Sequence, residues 1–424
     1  MRGSFNFNDK SFAVYGLGLT GKSVVKFLKK NRVKKISIWD DNLFKNNSKL
    51  KKNFRKKLSI VNYIILSPGI NIKKSKFKKL LLKYKKKIIT DLDLFFLKNN
   101  VKKSIMITGT NGKSTTCYLI HHILRKNKIK NRLVGNIGEP ILDSEFERNC
   151  VYVIEASSFQ LEYSNFIKPY CAAVLNISQD HLDWHGTKKN YIMSKIKIFN
   201  NQTKNNIAYL NDINLKKIYK KRKFQGKLRF IKKNSVKFRN NKNRYLQLEA
   251  NKDNVTFAYF ITKLFHINKK SFLKSLTSFS GLPHRHEIFL KLGKSTFIND
   301  SKATSFESTK YALSSNKNIV WITGGLPKKS DKIKINKFKK KIIKAYIIGE
   351  HKSFFVKYLR NKIKYEIVKN LKVAVSRIFK SFQKEKKITF LFSPASASYD
   401  QFKNFVERGE KFKHLVNSYA KKFN

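Results

Sequence analysis

The stretch SIMITGTNGKSTTCYLIHHIL, residues 104–124, decides the fold. Its apolar start, SIMIT, predicts a buried strand and STTCYLIHHIL predicts a helix, so the loop between them joins a strand to a helix N-terminus. Backbone N–H groups in such a loop, together with the helix dipole, bind phosphate groups. The general pattern GxxxxGK(S/T) is matched except at its first glycine, where the chain has Ile107. We therefore predict a triphosphate-binding loop; the alternative is a glycine turn with a capping serine.

Side chains near this loop predict magnesium chemistry. Lys113 is expected to reach the terminal phosphates, and Ser114 or Thr115 is available to Mg²⁺. Glu155 ends the next apolar run, VYVI, where a carboxylate can bind Mg²⁺ that bridges phosphates; the alternative is an ordinary polar strand end. The run NISQDHLDWHG, residues 176–186, contains carboxylates and histidines but no cysteine, which favours magnesium over zinc.

Strand-like runs alternate with helical stretches on both sides of this unit. The N-terminal runs are SFAVY, KKISIWD and VNYIILSPG; the central ones are VYVIEASS and CAAVLNIS; the C-terminal ones are STFINDSKA, NIVWITGG, KAYIIGE and KITFLFSPAS. Alternation predicts an α/β fold with parallel sheets and ligand sites at their carboxyl edges. The polar stretch 200–244 predicts short strands and loops before a helix at 251–265. We predict three domains, at residues 1–96, 97–281 and 282–424.

The net charge of +67 has two interpretations. A basic chain can bind nucleic acid, but lysine spread along the chain with asparagine, isoleucine and phenylalanine is also typical of an AT-rich genome. Lysine runs such as 85–87 and 339–341 lack the arginine and stacking aromatic residues of an RNA-binding surface, which favours the second interpretation. The three cysteines show no ligand spacing, and no secretory or membrane-spanning segment is present, so we expect a cytoplasmic protein with no membrane partner.

GLGLTG, residues 16–21, matches the nucleotide-binding pattern GxGxxG. It follows a predicted strand, and Asp40 lies at the end of the next one. A nicotinamide enzyme is one interpretation, but it would leave the second phosphate loop unexplained. A turn that binds the phosphates of any nucleotide-linked ligand fits the same pattern.

Seven motifs in order resemble those of the Mur ligases. They are TGTNGKST, GNIG (135–138), EASSFQLE, NISQDHLD, GLPHR (281–285), NDSKAT (299–304) and SPASASYDQFKNFVERG (393–409). The last two, with GLGLTG and SPG, resemble the branch of that family that adds D-glutamate to UDP-N-acetylmuramoyl-L-alanine. The resemblance implies a Rossmann-like first domain, a P-loop ATPase-like central domain and a Rossmann-like third domain.

The resemblance also implies ATP and two Mg²⁺ ions as cofactors. Metal ligands map onto Ser114, Glu155, His181 and Lys195, the last as a carbamate. A carbamate supplies an anionic oxygen where an ammonium would be repelled by the metal ions. The catalytic residues implied are Lys113, Lys195, His181, Arg285 and Lys302, and His181 is a weak candidate for the general base. The ATP-binding residues implied are Gly109, Thr110, Asn111, Gly112, Lys113, Ser114, Thr115, Asn251, Asn254, Arg285 and Asp300.

Substrate contacts follow from the same resemblance. Residues implied for the UDP substrate are Leu19, Thr20, Asp40, Ser67, Gly69, Asn136 and Gln160, and those for D-glutamate are Lys302, Thr304, Lys328, Ser398 and Phe405. Two positions depart from the family pattern: Ala250 replaces a histidine before the Asn-x-x-Asn pair, and Leu326 and Pro327 follow the glycines where an aspartate is typical.

Three alternatives remain open at this point. One is a sister Mur ligase that adds a different amino acid, and another is a ligase like folylpolyglutamate synthase. The third, from a different class, is a basic nucleic-acid-binding protein with vestigial ATPase motifs. The hypothesis of a D-glutamate ligase is favoured by the C-terminal motif SPASASYDQF, and it implies small-molecule substrates, a monomer and no nucleic-acid partner.

Overall fold

The computed structural model describes residues 5–233, 235–238, 243, 245–247, 249–327 and 332–422. The chain forms two compact units, Met1–Phe279 and Ser280–Asn424. The predicted α/β class with three largely parallel sheets is confirmed. The domain limits at 96 and 281 stay a prediction.

The first sheet contains four parallel strands in the order β2-β1-β3-β4. The strands are β1 (Ser11–Tyr15), β2 (Lys35–Trp39), β3 (Tyr63–Leu66) and β4 (Ile88–Ile89), and the helices around them are α1 (Leu19–Lys30), α2 (Ser48–Ile60), α3 (Lys78–Lys83) and α4 (Asp91–Lys98). β1 is buried at four of its five positions, because a central parallel strand is covered on both faces.

The second sheet contains six parallel strands in the order β10-β9-β8-β5-β7-β6. The strands are β5 (Ser104–Thr108), β6 (Asn131–Gly135), β7 (Val151–Glu155), β8 (Cys171–Val174), β9 (Ile207–Leu210) and β10 (Lys227–Phe230). The helices are α5 (Lys113–Lys126), α6 (Ser158–Tyr163), α7 (Leu182–His185), α8 (Lys188–Ile196), α9 (Ile213–Lys221), α10 (Glu249–Thr262) and α11 (Lys269–Thr277). β5 lies between β7 and β8, so the loops after these three strands meet at one edge.

The prediction for residues 200–244 was partly wrong, because the stretch contains the nine-residue helix α9. Asp212 caps this helix by accepting a hydrogen bond from the backbone N–H of Leu215, and Leu215 and Tyr219 are buried. The apolar positions are separated by lysines, which obscured the helical period. The predicted helix at 251–265 corresponds to α10, which begins at Glu249.

The first two sheets belong to one unit and are joined by a buried carboxylate. Asp93 of α4 is fully buried, and its Oδ1 accepts hydrogen bonds from the backbone N–H groups of Asn165, at 2.9 Å, and Phe166, at 2.6 Å. Its Oδ2 accepts from the N–H of Thr90 at 3.0 Å and completes a capping box at the start of the helix. One side chain therefore both starts α4 and fixes it to the segment after α6.

The third sheet has the order β11-β12-β16-β13-β14-β15 and lies in the second unit. The strands are β11 (Glu287–Leu292), β12 (Ser295–Asn299), β13 (Ile319–Gly324), β14 (Ile342–Ile348), β15 (Tyr365–Ile367) and β16 (Thr389–Phe392). The helices are α12 (Phe306–Ser315), α13 (Lys352–Leu359), α14 (Leu371–Lys380) and α15 (Phe405–Ala420). Among the strand pairs that the structure describes in this sheet, only β11–β12 is antiparallel. The four predicted strand runs correspond to β12, β13, β14 and β16, while β11 and β15 were not predicted.

No helix among the described residues is long and apolar enough to cross a bilayer.

Candidate active site

The loop after β5, which is predicted to bind phosphate, is held by the neighbouring strand β8. The side chain of Asn176 makes two hydrogen bonds with the backbone of Asn111. The Asn111 N–H donates to Asn176 Oδ1 at 2.9 Å, and the Asn111 carbonyl accepts from Asn176 Nδ2 at 3.0 Å. The N–H of Thr110 donates to the carbonyl of Asn176 at 2.9 Å. Since Asn176 follows β8, these bonds connect the loop to the strand next to β5.

Gly112 shows why this loop requires a glycine before the helix. Its φ is +83°, a left-handed conformation that favours glycine, and a Cβ built there would lie 2.2 Å from Asn254 Oδ1. Asn254 Nδ2 donates to Asn251 Oδ1 at 3.1 Å, and Asn251 Nδ2 donates to the carbonyl of Tyr245 at 2.8 Å. The Asn-x-x-Asn pair of α10 therefore packs directly behind the phosphate loop. Its predicted contact with the adenine stays a prediction.

Lys113 and Lys195 converge on one carbonyl of the loop. Lys113 Nζ donates to the carbonyl oxygens of Gly109, at 2.8 Å, and Thr110, at 2.9 Å. Lys195 Nζ, from α8, donates to the same Gly109 oxygen at 2.8 Å. Ser114 and Thr115 lie buried in the first turn of α5, beside Lys113.

Lys195 is almost completely buried, with 1% of its surface exposed. Burial and, after it, the nearby charge of Lys113 lower its pKa to about 6, while the charges of Asp180 and Glu155 act in the opposite direction. The side chain is therefore mostly a neutral amine at neutral pH. A neutral amine is the form that reacts with carbon dioxide to give a carbamate.

Glu155 ends β7 with one carboxylate oxygen unused. Its Oε1 accepts from Asn136 Nδ2 at 2.7 Å, and its carbonyl accepts from the Asn136 N–H at 2.9 Å. Its Oε2 is buried and accepts no hydrogen bond from the described part of the chain. An orphaned buried carboxylate oxygen fits a cation ligand. No group of three or more His, Cys, Asp or Glu residues that could hold a metal occurs among the described residues.

Tyr191 connects the phosphate loop with Lys195 and His181. Its hydroxyl lies 3.1 Å from Thr110 Oγ1, and the Lys195 Nζ lies 4.7 Å from its ring centroid. The His181 ring centroid is 6.4 Å from that of Tyr191 and 4.9 Å from that of Phe159. His181 is about half-exposed and lies near Asp180. Sequence reasoning missed Tyr191, whose only signal is its position four residues before Lys195 on the same helix.

His185 is buried beside Ser158. Its Nε2 lies 3.0 Å from Ser158 Oγ, and burial lowers its pKa to about 4, with the charge of His181 as the next cause. Of the two histidines in the NISQDHLDWHG run, His181 is therefore the one that the structure leaves near the loop surface.

The turn after β1 is built by residues predicted to bind the UDP substrate. Asp40 Oδ2 accepts from the N–H of Leu17 at 2.7 Å, and its Oδ1 accepts from two further backbone N–H groups. Burial alone would raise the pKa of this carboxyl, but these hydrogen bonds lower it below its usual value. Ser67 Oγ donates to the carbonyl of Gly16 at 2.8 Å. Both side chains therefore fix the glycine turn.

The two residues that follow this turn at the start of α1 are accessible to solvent. Leu19, the first residue of α1, is 83% exposed, and Thr20 beside it is partly exposed. A Cβ built on Gly69 would meet nothing within 4 Å, whereas one on Gly21 would lie 1.9 Å from the Gly16 carbonyl oxygen. Gly21 is therefore required by the close approach of the helix to the turn.

Gln160, which is predicted to contact the substrate, is buried and hydrogen-bonded inside the first unit. It is 2% exposed, its Nε2 donates to Asp91 Oδ2 at 3.1 Å, and its Oε1 accepts from the Ser157 N–H at 3.1 Å. Its amide thus fixes α4 to α6 within the first unit. A substrate contact of Gln160 stays a prediction.

In the second unit, Asp300 follows β12 and is 5% exposed. Its Oδ1 accepts from the His286 N–H at 3.0 Å, and its Oδ2 accepts from Ser393 Oγ at 2.7 Å. Burial raises its pKa to about 7, although these hydrogen bonds and the charge of Arg285 lower it. Asp300 therefore lies near Arg285, and its carboxyl is partly protonated near neutral pH. Their predicted contact with ATP stays a prediction.

Four of the five residues predicted for D-glutamate are described, and they lie on segments of the second unit. Lys302 Nζ lies 5.4 Å from the ring centroid of Phe405, the first residue of α15. The N–H of Thr304 donates to the carbonyl of Lys302 at 2.9 Å. Ser398 is buried in the loop that follows β16. Lys328 lies outside the described residues.

Sequence reasoning missed Arg408, which belongs to the SPASASYDQFKNFVERG motif. Its guanidinium is buried, and it donates to Ser301 Oγ and to the carbonyls of Ser301 and Ser396. The arginine lies three residues after Phe405, but nothing in the sequence indicates that it turns inward.

Comparisons with known proteins show which family this chain resembles. A family model described as Mur ligase middle domain matches residues 107–281. A UDP-N-acetylmuramoylalanine--D-glutamate ligase of Rickettsia felis is 33% identical, over 96% of this chain and 96% of its own. Enzymes of the same name from Rickettsia prowazekii and Francisella tularensis are 35% and 32% identical, over 96% and 97% of this chain and 97% and 98% of their own.

Solved structures support the fold. MurF ligase from Thermotoga maritima, in complex with ADP, aligns with a TM-score of 0.57 at 14% identity, covering 98% of this chain and 99% of its own. UDP-N-acetylmuramate-alanine ligase MurC from Thermotoga maritima aligns with a TM-score of 0.55 at 15% identity, covering 96% and 99%. Together with the relatives above, these findings show that the chain belongs to the Mur ligase family, among the UDP-N-acetylmuramoylalanine--D-glutamate ligases.

Proposed function

We propose that this protein uses ATP to join D-glutamate to UDP-N-acetylmuramoyl-L-alanine in the synthesis of a cell-wall precursor. The observation that carries the proposal is the convergence of Lys113 and the buried Lys195 on the Gly109 carbonyl of the phosphate loop. The choice of D-glutamate is supported by the name shared by the curated relatives over almost the whole chain.

Amide formation from a carboxylate requires that one oxygen becomes a leaving group. The substrate carboxylate would attack the γ-phosphate of ATP, releasing ADP and giving an acyl phosphate. The amine of D-glutamate would then attack the acyl carbon, and the tetrahedral intermediate would expel phosphate. The protein contributes mainly positioning and charge neutralisation to such a reaction.

The loop residues have distinct parts in this reaction. The N–H groups of residues 109–115 and the start of α5 hold phosphate oxygens, and Lys113 neutralises the terminal ones. Lys113 Nζ donates to two loop carbonyls in the structure, so phosphate oxygens would replace them as acceptors. Asn254, packed behind Gly112, keeps the loop in its left-handed turn while the ligand binds. Arg285 and Lys302 are proposed to neutralise further negative charge.

Magnesium would be held by Glu155, Ser114, His181 and a carbamate on Lys195. The fit is supported by the unused Glu155 Oε2 and by the lowered pKa of Lys195. A few protein oxygens are sufficient, because Mg²⁺ usually keeps water and substrate phosphate oxygens in its shell. When bound, the ions neutralise charge on the transferred phosphoryl group.

The remaining assignments are part of the same proposal. The uridine diphosphate would bind at the turn after β1, near Leu19, Thr20, Asp40, Ser67 and Gly69, with Asn136 and Gln160 closer to the reacting end. D-Glutamate would bind to Lys302, Thr304, Ser398 and Phe405, with Lys328 as a further anion contact. We propose a cytoplasmic monomer without a nucleic-acid or membrane partner.

The test is phosphate release by the purified protein with different substrates. We expect release only when ATP, Mg²⁺, UDP-N-acetylmuramoyl-L-alanine and D-glutamate are all present. L-Glutamate, L-lysine, L-alanine and folate substrates serve as comparisons for the related ligases. Faster release with one of these than with D-glutamate would reject the substrate assignment, and hydrolysis stimulated by RNA alone would favour a nucleic-acid-binding ATPase.

A further inference from the structure

The second unit buries an arginine whose charge has no carboxylate partner within hydrogen-bonding distance among the described residues. Arg408, on the first turn of α15, is 1% exposed. Its Nε donates to Ser301 Oγ at 3.1 Å, and its Nη2 donates to the carbonyls of Ser301, at 2.8 Å, and Ser396, at 3.0 Å. Its Nη1 is buried without a hydrogen-bond partner in the described part of the chain. Because a buried charge is normally paired, this arrangement lowers stability unless an anion compensates it.

Arg408 connects the loops that carry the proposed D-glutamate contacts. Ser301 lies in the loop after β12, next to Lys302, and Ser396 lies in the loop after β16, two residues before Ser398. The third segment is the turn after β13. A Cβ built on Gly325 in this turn would lie 2.5 Å from the carbonyl oxygen of Ala397 and 2.6 Å from Ser396 Oγ, so these two atoms require a glycine there. The same Cβ would lie 3.4 Å from Arg408 Nη1, so the turn lies beside the guanidinium. The guanidinium therefore fixes the spacing of the loops after β12 and β16, and it lies beside the turn after β13.

The charge persists at neutral pH. Burial lowers the pKa of Arg408 to about 10, with only Asp400 acting in the opposite direction. A positive charge in a low-dielectric environment acts over a longer range than one in water. The surrounding loops are therefore a favourable place for an anion.

We propose that Arg408 is a positioning residue that sets the preference for an amino acid with a second carboxylate. It does so by fixing the loops after β12 and β16, and by supplying a positive charge to which no carboxylate among the described residues is hydrogen-bonded. The inference rests on the proposed function, because it assumes that an amino acid binds at these loops. Arg408 acts through the loops and need not touch the ligand.

The test compares Arg408→Met, which removes the charge at similar length, with Arg408→Lys, which keeps it. Phosphate release is measured at saturating ATP and UDP-N-acetylmuramoyl-L-alanine, with D-glutamate or its neutral analogue D-glutamine as the variable substrate. We expect Arg408→Met to raise the KM for D-glutamate about tenfold and to lower the preference for D-glutamate over D-glutamine. The KM for ATP should change much less than the KM for D-glutamate, since the phosphate loop is in the other unit.

Arg408→Lys should keep the preference for D-glutamate, because it keeps the charge, while its KM rises as the fork of hydrogen bonds is lost. The matched controls are Arg377→Met and Arg377→Lys on α14. Arg377 is about half-exposed and pairs with Glu366 at 3.5 Å, so both controls should behave like the wild type. Thermal unfolding of each variant reports whether it folds.

Three results distinguish a failure of the proposed function from a failure of this inference. A wild-type protein without D-glutamate-dependent phosphate release would reject the proposed function itself. An active wild type together with an Arg408→Met variant of unchanged KM and unchanged preference would overturn only this inference. If Arg408→Met does not fold, Arg408→Lys decides: a retained preference with a raised KM supports the inference, and a KM equal to that of the wild type rejects it.

Discussion

Lys195 should form a carbamate far more readily than exposed lysines of the same helix. Its 1% exposure and the nearby Lys113 lower its pKa to about 6. At about pH 7.5, a lysine of ordinary pKa is roughly 0.1% neutral, whereas one with a pKa near 6 is roughly 97% neutral. The reactive amine is thus enriched about 1000-fold at Lys195 by the protonation equilibrium alone.

The assay uses carbon-13-labelled bicarbonate with Mg²⁺ and ATP, followed by trapping of carbamates as ethyl esters and mass spectrometry of the peptides. Lys188 and Lys189 are the internal controls, since they are exposed on α8, the same helix. We expect the trapped label on the peptide that contains Lys195 and little on the controls. Lys195→Arg should lose the label and the ligase activity. Equal trapping at Lys195 and the two controls would refute the reasoning from burial and charge.

Three further substitutions test other parts of the structure. Gly112→Ala places a Cβ 2.2 Å from Asn254 Oδ1 in a left-handed turn. ATP turnover in a steady-state assay should therefore fall more than about tenfold. A variant with the wild-type rate would contradict the loop geometry. Asp93→Ala removes the acceptor of the Asn165 and Phe166 N–H groups. The free energy of unfolding of the first unit, measured by urea titration, should therefore fall by roughly 3 kcal/mol. An unchanged midpoint would argue against the role of Asp93 in joining α4 to the segment after α6. The pKa of Asp300 is raised from 3.8 to about 7, so between these pH values the folded state keeps a proton that the unfolded chain has lost. The contribution of this carboxyl to stability therefore falls as pH rises through that window. Asp300→Asn should weaken the pH dependence of thermal unfolding there, and a profile identical to that of the wild type would reject the burial of a protonated carboxyl.

Much of the fold could be predicted from local sequence patterns. β1, β5 and α5 correspond to the predicted runs, because short apolar stretches bounded by glycine turns are strong signals for buried parallel strands. α9 was missed because lysines separate its buried positions, and β11 was missed because its residues are only partly buried. Such elements are decided by packing against distant residues, which a local pattern does not contain.

Site residues could be predicted where a sequence motif fixes the backbone. They were harder to predict where burial of a side chain determines its protonation state or its contacts. The phosphate loop could be recognised from its glycines and Lys113 alone. Lys195 was singled out only by resemblance, since nothing local distinguishes it from other lysines. Its low pKa depends on long-range packing against Gly109 and Tyr191. The buried guanidinium of Arg408 was missed for the same reason.

The central claim is that ATP activates the substrate carboxylate as an acyl phosphate. It is tested most directly with UDP-N-acetylmuramoyl-L-alanine labelled with oxygen-18 in the carboxylate, together with ATP, Mg²⁺ and D-glutamate. The acyl-phosphate route transfers one labelled oxygen to each inorganic phosphate released, in step with formation of the D-glutamyl product. Unlabelled phosphate accompanying the labelled substrate, or pyrophosphate as the product, would contradict it.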